Sequence, residues 1–163
     1  MIRSFTVVET KRIVGYPAFS DILVYDLDSG SHQVFTSTSI FFASKRNPPV
    51  YFADKEVEID LFELFEEWQK EVCYGSITFL EDKNKYIRFV KGEYTGEDQV
   101  NAPRFLEVFD KDFKKVKEFD LISYNSDLSS QYLDTGFGIM FWAITQPKED
   151  VVYYYYLNLF DSK

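Results

Sequence analysis

The sequence predicts an all-β fold, a partial β-propeller of about two and a half four-stranded antiparallel blades plus one helix. A repeated phrase is the first observation: segments 22–35 and 106–119 each contain an apolar run, an aspartate, a polar turn and a second apolar run. With Asp26 aligned on Asp110, the copies lie about 84 residues apart, roughly twice the length of a propeller blade. The second observation is that short strand-like segments occur in groups of four. An up-and-down β-barrel is the alternative fold for this length and aromatic content.

The first blade-like unit is predicted over residues 4–38. Its strands are expected at 4–9, 12–18, 22–27 and 32–38. The turn that joins the last two strands contains Gly30, a residue that adopts positive φ without strain.

One helix is predicted at residues 60–72. Asp60 and Glu63 resemble a capping box, and the apolar residues Leu61, Phe65, Trp68 and Val72 follow at helical spacing. Residues 54–71 hold eight acids and two lysines, so most of the net charge of −9 arises in this stretch. We interpret the acids as a solvated helix surface; a docking patch or a cation site is the alternative.

A second unit is predicted over 75–122, with strands at 75–81, 85–91, 104–110 and 115–122. A hairpin of 136–145 and 150–160 supplies a half unit, and the whole chain, 1–163, is interpreted as a single domain. The segment 151–160 is apolar or aromatic on both faces, as in a strand between two neighbouring blades. A tyrosine-rich ligand platform is the alternative interpretation.

Composition restricts the function. Acids outnumber bases 27 to 18, which argues against a nucleic-acid partner, because phosphate binding needs clustered Lys and Arg. The sequence has one cysteine, so it has no internal disulfide and no Cys-rich zinc site. It has no transmembrane segment or signal-like start. As written, the chain is expected in the cytoplasm.

Few residues suggest chemistry, so we predict no catalytic residue, no metal site and no cofactor. His32 has no second histidine to share a metal, and Cys73 has no evident partner base. The segment from Asp26 resembles the start of a calcium loop, but Ser37 at the twelfth position offers no carboxylate. Arg88 is the one weak binding candidate. Arg88 lies in a strand that is expected to be covered on both faces, so its buried charge needs a partner. We interpret that partner as an inter-blade ion pair; the alternative is that Arg88 binds an anion at the centre of the ring.

A family resemblance rests on three groups of residues: 74–79 with 85–90, 103–116, and 22–30, where a strand ends in Tyr25-Asp26. With these the chain resembles, over about four fifths of its length, the C-terminal part of a family of unknown function found in Bacteroidetes lipoproteins. The resemblance implies a six-bladed β-propeller and transfers no catalytic role. Members open with a lipoprotein signal and further blades, so a fragment of one would be expected in the periplasm or at the cell surface.

These observations favour a non-enzymatic binding or protein-interaction module of unknown specificity. A partial ring leaves blade faces uncovered, so we expect self-association or a protein partner on those faces. Two alternatives are a fragment of a propeller hydrolase or lyase, and a barrel that binds an apolar small molecule.

Overall fold

A computed structural model of the chain describes residues 4–47, 60–95, 102–135 and 138–158. The first sheet has four antiparallel strands in chain order, and neighbouring strands are joined by hairpins. Its strands are β1 (Ser4–Val8), β2 (Lys11–Tyr16), β3 (Phe19–Asp26) and β4 (His32–Phe35).

The second sheet repeats this order of four strands, and the third has three. The second contains β5 (Cys73–Leu80), β6 (Lys85–Lys91), β7 (Arg104–Phe109) and β8 (Lys115–Asp120). The third contains β9 (Leu128–Asp134), β10 (Ile139–Ala143) and β11 (Tyr154–Leu157). Helix α1 (Leu61–Gln69) precedes the second sheet, and the single turn α2 (Leu121–Tyr124) follows it.

The predicted all-β fold with four-stranded antiparallel sheets is confirmed. Asp60 is the N-cap of α1, because its side chain accepts hydrogen bonds from the amides of Phe62 and Glu63. The helix ends three residues earlier than predicted. The third sheet has one more strand than the predicted hairpin, because the polar segment LSSQYLD lacks a clear apolar alternation yet forms β9. The described strands form three separate sheets rather than a closed barrel.

The second sheet lies between the other two. One face of it packs on the first sheet in a cluster that includes Ile13, Ile22, Ile77 and Phe109. The opposite face packs on the third sheet through a second cluster. Its members are Leu80, Ile87, Phe89, Leu106, Val108, Leu121, Leu128, Ile139, Phe141 and Leu157. The residues of β6 between its two terminal lysines are all buried, because each face of the strand packs against a different neighbouring sheet.

The repeated phrase forms the same kind of turn in both copies. Asp26 accepts backbone hydrogen bonds from residues 28 and 29, and Asp110 accepts them from residues 112 and 114. Each turn also has one residue in the left-handed region, Gly30 at φ 68° and Phe113 at φ 60°. The backbone penalty at Phe113 is offset by packing, because its ring lies against Phe35 of the first sheet and Tyr86 of the second.

We expect Asp26 to titrate below its ordinary value. The amide of Ser29, then its hydroxyl, donates to Asp26 and lowers the pKa of that carboxyl. This turn therefore adds stability above the ordinary pKa of 3.8, and the contribution is lost as the pH falls through the lowered value. An NMR titration of the carboxyl carbon measures the shift. Ser29→Ala should raise the pKa, whereas Ser123→Ala, in the α2 turn, should leave it unchanged.

Candidate functional site

Arg88, the sequence-predicted binding candidate, lies on β6 with its side chain fully buried. The residue directly opposite it on β7 is Glu107, which is also fully buried. The Nε and Nη2 atoms of Arg88 each lie 2.7 Å from Oε2 of Glu107. This two-nitrogen contact is the charge-assisted geometry that a buried guanidinium requires.

Ser20 on β3 and Ser37, two residues beyond the end of β4, complete the set of partners for this ion pair. Nη1 of Arg88 donates to the carbonyl of Ser20 at 2.8 Å, and Nη2 donates to the hydroxyl of Ser37 at 3.1 Å. The Ser37 hydroxyl in turn donates to Oε1 of Glu107 at 3.2 Å. The ion pair itself lies within the second sheet, and its hydrogen bonds to serine join the first sheet to the second.

Aromatic rings and a lysine enclose the pair. The guanidinium carbon of Arg88 lies 4.6 Å from the ring centre of Tyr74 and 5.4 Å from that of Phe109. Lys115 places its Nζ 3.3 Å from Oε1 of Glu107. Burial, and secondarily the charge of Glu107, raises the pKa of the Tyr74 hydroxyl, so this phenol stays neutral at ordinary pH.

Each of the three guanidinium nitrogens of Arg88 therefore has a protein partner. The geometry supports a role in joining two sheets. Anion binding by Arg88 stays a prediction, and it would require a ligand to compete with Glu107.

The other sequence candidates lie apart from one another. His32 is exposed on β4 against the ring of Tyr25. Cys73 is the first residue of β5 and is a partly buried free thiol. The Asp26 carboxylate accepts a hydrogen bond from the amide of Ser29 in the turn between β3 and β4. The part of the acidic stretch at 54–59 lies outside the described residues. Among described residues, no group of three or more His, Cys, Asp or Glu is placed to hold a metal ion.

Two apolar surfaces are uncovered at the ends of the stack of three sheets. We define the first open face as the side of the first sheet that points away from the second, where the side chains alternate with buried Ile13 and Ile22. Its exposed apolar members are Phe5, Val7, Tyr25 and Val34. We define the third open face as the corresponding side of the third sheet. Its exposed members are Leu133, Trp142, Tyr154 and Tyr156.

The third open face contains the tyrosine-rich segment that the sequence predicts as a strand between two neighbouring blades. Strand β11 is the edge of its sheet, and Tyr154 and Tyr156 are 45% and 52% exposed. No described residue packs on the outer side of this sheet, where the prediction of a strand between two blades requires a second neighbouring blade. Patches of adjacent large apolar side chains on a soluble protein usually mark an interaction surface.

Sequence reasoning missed a cleft between the second and third sheets. Lys91 of β6 and Arg104 of β7 are direct cross-strand neighbours there, and Cys73 of β5 is the neighbour of Lys91 on its other side. In the sequence these residues are far apart. Only a prediction of strand register could have placed the two cations side by side.

A family model described as a domain of unknown function, DUF4221, matches residues 2–120. A solved structure also resembles the chain, the crystal structure of a DUF4221 family member from Bacteroides vulgatus ATCC 8482. The two share 14% sequence identity with a TM-score of 0.68. The similarity covers 96% of this chain and 46% of the solved one, so the chain spans less than half of that relative's length.

No curated protein matches the chain significantly. Neither described helix has the length and apolar character that crossing a lipid bilayer requires.

Proposed function

This chain belongs to the DUF4221 family, and we propose that it is a non-enzymatic interaction module forming part of a six-bladed β-propeller. The observation that carries the proposal is the pair of apolar faces at opposite ends of one stack of sheets. Each sheet is one blade, and the three form a single domain. A propeller blade buries both of its faces against neighbours, so a stack with two uncovered ends has the surfaces of an incomplete ring.

The length of the solved relative supports six blades. Three sheets of this chain correspond to 46% of that protein, so a full-length relative has room for about twice as many. A ring of six four-stranded blades lies within the usual range of four to eight for propellers.

Family membership also supports a location. We propose that the native polypeptide acts in the periplasm or at the cell surface, as expected for a Bacteroidetes lipoprotein family. Recovery of lipid-labelled polypeptide in the membrane fraction would support this, and recovery in the cytoplasmic fraction without a label would contradict it.

We propose that a second copy of the chain covers the open faces. In this arrangement the first open face of one copy packs on the third open face of the other, and a two-fold axis produces two identical junctions. Two copies supply six sheets, which matches the proposed ring. The faces also suit each other chemically, since both present aromatic and branched apolar side chains.

The chain is therefore expected to form a dimer of twice 19.2 kDa in light scattering coupled to size-exclusion chromatography. Phe5→Glu on the first open face or Tyr156→Glu on the third should convert the dimer to a monomer, because a carboxylate would be buried without a partner at both junctions. Tyr124→Glu is the matched control. Tyr124 is 69% exposed on α2, away from both open faces, so the dimer should persist.

Mixing the two monomeric variants tests which faces meet. One junction of a mixed pair carries both substitutions and the other is wild type, so mixing should restore a dimer. If the faces instead pair like with like, one of the two substitutions will leave the dimer intact. A wild-type monomer at high concentration would contradict self-association.

A further inference from the structure

The described strands leave the third sheet one strand shorter than the other two, because the first and second sheets have four strands each and the third has three. Its last strand, β11, pairs with β10 on one side and with no described strand on the other. We call the place beside β11, opposite β10, the fourth-strand position. An edge strand presents backbone N–H and C=O groups to such a position and can pair with one more strand.

The hydrogen-bond pattern of the sheet identifies the backbone groups that point to the fourth-strand position. The amide of Ala143 donates to the carbonyl of Tyr153, and in an antiparallel ladder hydrogen-bonded pairs alternate with non-hydrogen-bonded pairs. Tyr155 therefore belongs to a hydrogen-bonded pair with β10, whereas Tyr154 and Tyr156 do not. It follows that the amides and carbonyls of Tyr154 and Tyr156 point away from β10, toward the fourth-strand position.

The burial of β11 differs from that of the equivalent strand in the first sheet. That sheet also has one open face, but its third strand, β3, has β4 beside it. The β3 side chains that point toward the second sheet, Ile22 and Val24, are 0% and 7% exposed. On β11, Tyr155 points toward the second sheet beside Phe141 and is 38% exposed. A fourth strand would cover this ring.

The composition of β11 is also unusual for the edge of a sheet. Charged side chains and proline commonly protect sheet edges from pairing with other chains. The outer strand of the second sheet, β8, follows this rule, because four of its six residues are charged. Strand β11 contains three tyrosines and a leucine, with no charge and no proline. Its edge therefore lacks the protection that β8 has.

Hydrogen bonds between the sheets show what lies next to the fourth-strand position. Thr6 of β1 donates to the carbonyl of Ile77 on β5, and the hydroxyl of Thr78 on β5 shares a hydrogen bond with that of Tyr132 on β9. The first strands of the three sheets are thus joined along one side of the stack. The fourth strands lie along the opposite side, so the fourth-strand position adjoins β8.

Strand β8 presents a cation and an aromatic ring on the side that faces the third sheet. Lys117 and Phe119 are paired with Val108 and Leu106, which belong to the cluster shared with the third sheet. Lys117 is exposed, and its ammonium lies 4.7 Å from the ring centre of Phe119. A strand that contacts this pair through its inner side fits best with apolar and acidic side chains there.

We propose that an extended segment of a partner polypeptide binds in the fourth-strand position, antiparallel to β11. Main-chain hydrogen bonds to Tyr154 and Tyr156 would give affinity, and alternate side chains facing Lys117 and Phe119 would give specificity. Strand β11 of a second copy carries no carboxylate for Lys117, so a partner fits better. The hydrogen bonds lie in the plane of the sheet, whereas the open faces are its flat sides, so the proposal does not depend on self-association.

NMR titration of the full chain with the peptide acetyl-Thr-Val-Thr-Glu-Thr-Val-Thr-amide tests the proposal. In an extended strand its valines and glutamate lie on one side and its threonines on the other. Saturable binding is expected, with the amide signals of Tyr154 and Tyr156 among those that shift. A peptide with lysine in place of glutamate should bind about tenfold more weakly, because it brings a second cation to Lys117.

Two substitutions of Tyr156 separate the backbone amide from the side chain. Tyr156→Pro removes the ring and the outward N–H, and proline is tolerated at an edge where that N–H has no partner in the sheet. Tyr156→Ala is the matched control, because it removes the same ring and keeps the N–H. The proline variant should bind the peptide about tenfold more weakly than the alanine variant, as expected for one lost hydrogen bond.

If Tyr156→Pro lacks a native amide spectrum, Tyr154→Pro with Tyr154→Ala repeats the comparison. Equal peptide affinity of natively folded proline and alanine variants would show that the edge of β11 is not the site. Absence of peptide binding to the parent chain would overturn the whole proposal, and equal binding of the glutamate and lysine peptides would overturn the acidic partner. A lower mass of the proline variant than of the alanine variant in light scattering without peptide would make a second copy the occupant and overturn the partner polypeptide.

Discussion

Arg88→Met is expected to lower the free energy of unfolding by about 3 to 5 kcal/mol. The substitution leaves the carboxylate of Glu107 buried without the two guanidinium nitrogens that neutralise it. It also leaves the carbonyl of Ser20 without its donor, and a buried polar group without a partner carries a desolvation penalty. Urea unfolding followed by circular dichroism measures the change.

Replacing both partners distinguishes the ion pair from its packing. The double variant Arg88→Met with Glu107→Leu should recover much of the lost stability, because an apolar pair of similar volume can substitute for a buried ion pair. Lys117→Met is the surface control on β8, where the lysine side chain is exposed, and should change stability by less than about 0.5 kcal/mol. If Arg88→Met behaves like this control, the network does not join the sheets.

Phe141→Ala should destabilise the chain by about 3 to 5 kcal/mol. Phe141 is fully buried on β10 in the cluster that joins the second and third sheets. Removing the ring deletes apolar packing against both layers and leaves a cavity that the surrounding strands cannot fill. Thermal and urea unfolding measure the loss.

Phe62→Ala is the matched control, since it deletes the same ring from α1, where Phe62 is 83% exposed. We expect less than about 0.5 kcal/mol of destabilisation there. A similar effect of both substitutions would mean that the third sheet does not pack on the second as described. Loss of signals from β9, β10 and β11 alone in NMR spectra of Phe141→Ala would show that the third sheet detaches first.

Local sequence signals predicted the first two sheets well. Alternating apolar segments separated by Asp and Gly turns reflect the two-residue period of strands, and Asp26 and Asp110 perform the same capping chemistry in both copies. Asp60 likewise predicted the start of α1. The strand β9 gave no such signal, because its core side chains, Leu128 and Tyr132, are four residues apart with polar residues between them, and pairing with β10 holds the rest of the strand.

Sequence reasoning identified Arg88 as a residue that needs a buried partner, but not which residue supplies it. Glu107 is 19 positions away, and its pairing follows from the register of β6 on β7. The same register creates the Lys91 and Arg104 pair. Nothing in the composition around Arg88 or Lys91 indicates which residue lies opposite it on β7.

By itself the sequence determined that this chain is a β-rich repeat with capped turns, one helix and an arginine in a covered strand. These properties depend on local period and turn chemistry, which act over a few residues. Only the tertiary structure decided which charges meet, which faces stay uncovered and where a cleft opens. Those features depend on strand register and on the stacking of sheets, and both are set by contacts between residues far apart in the chain.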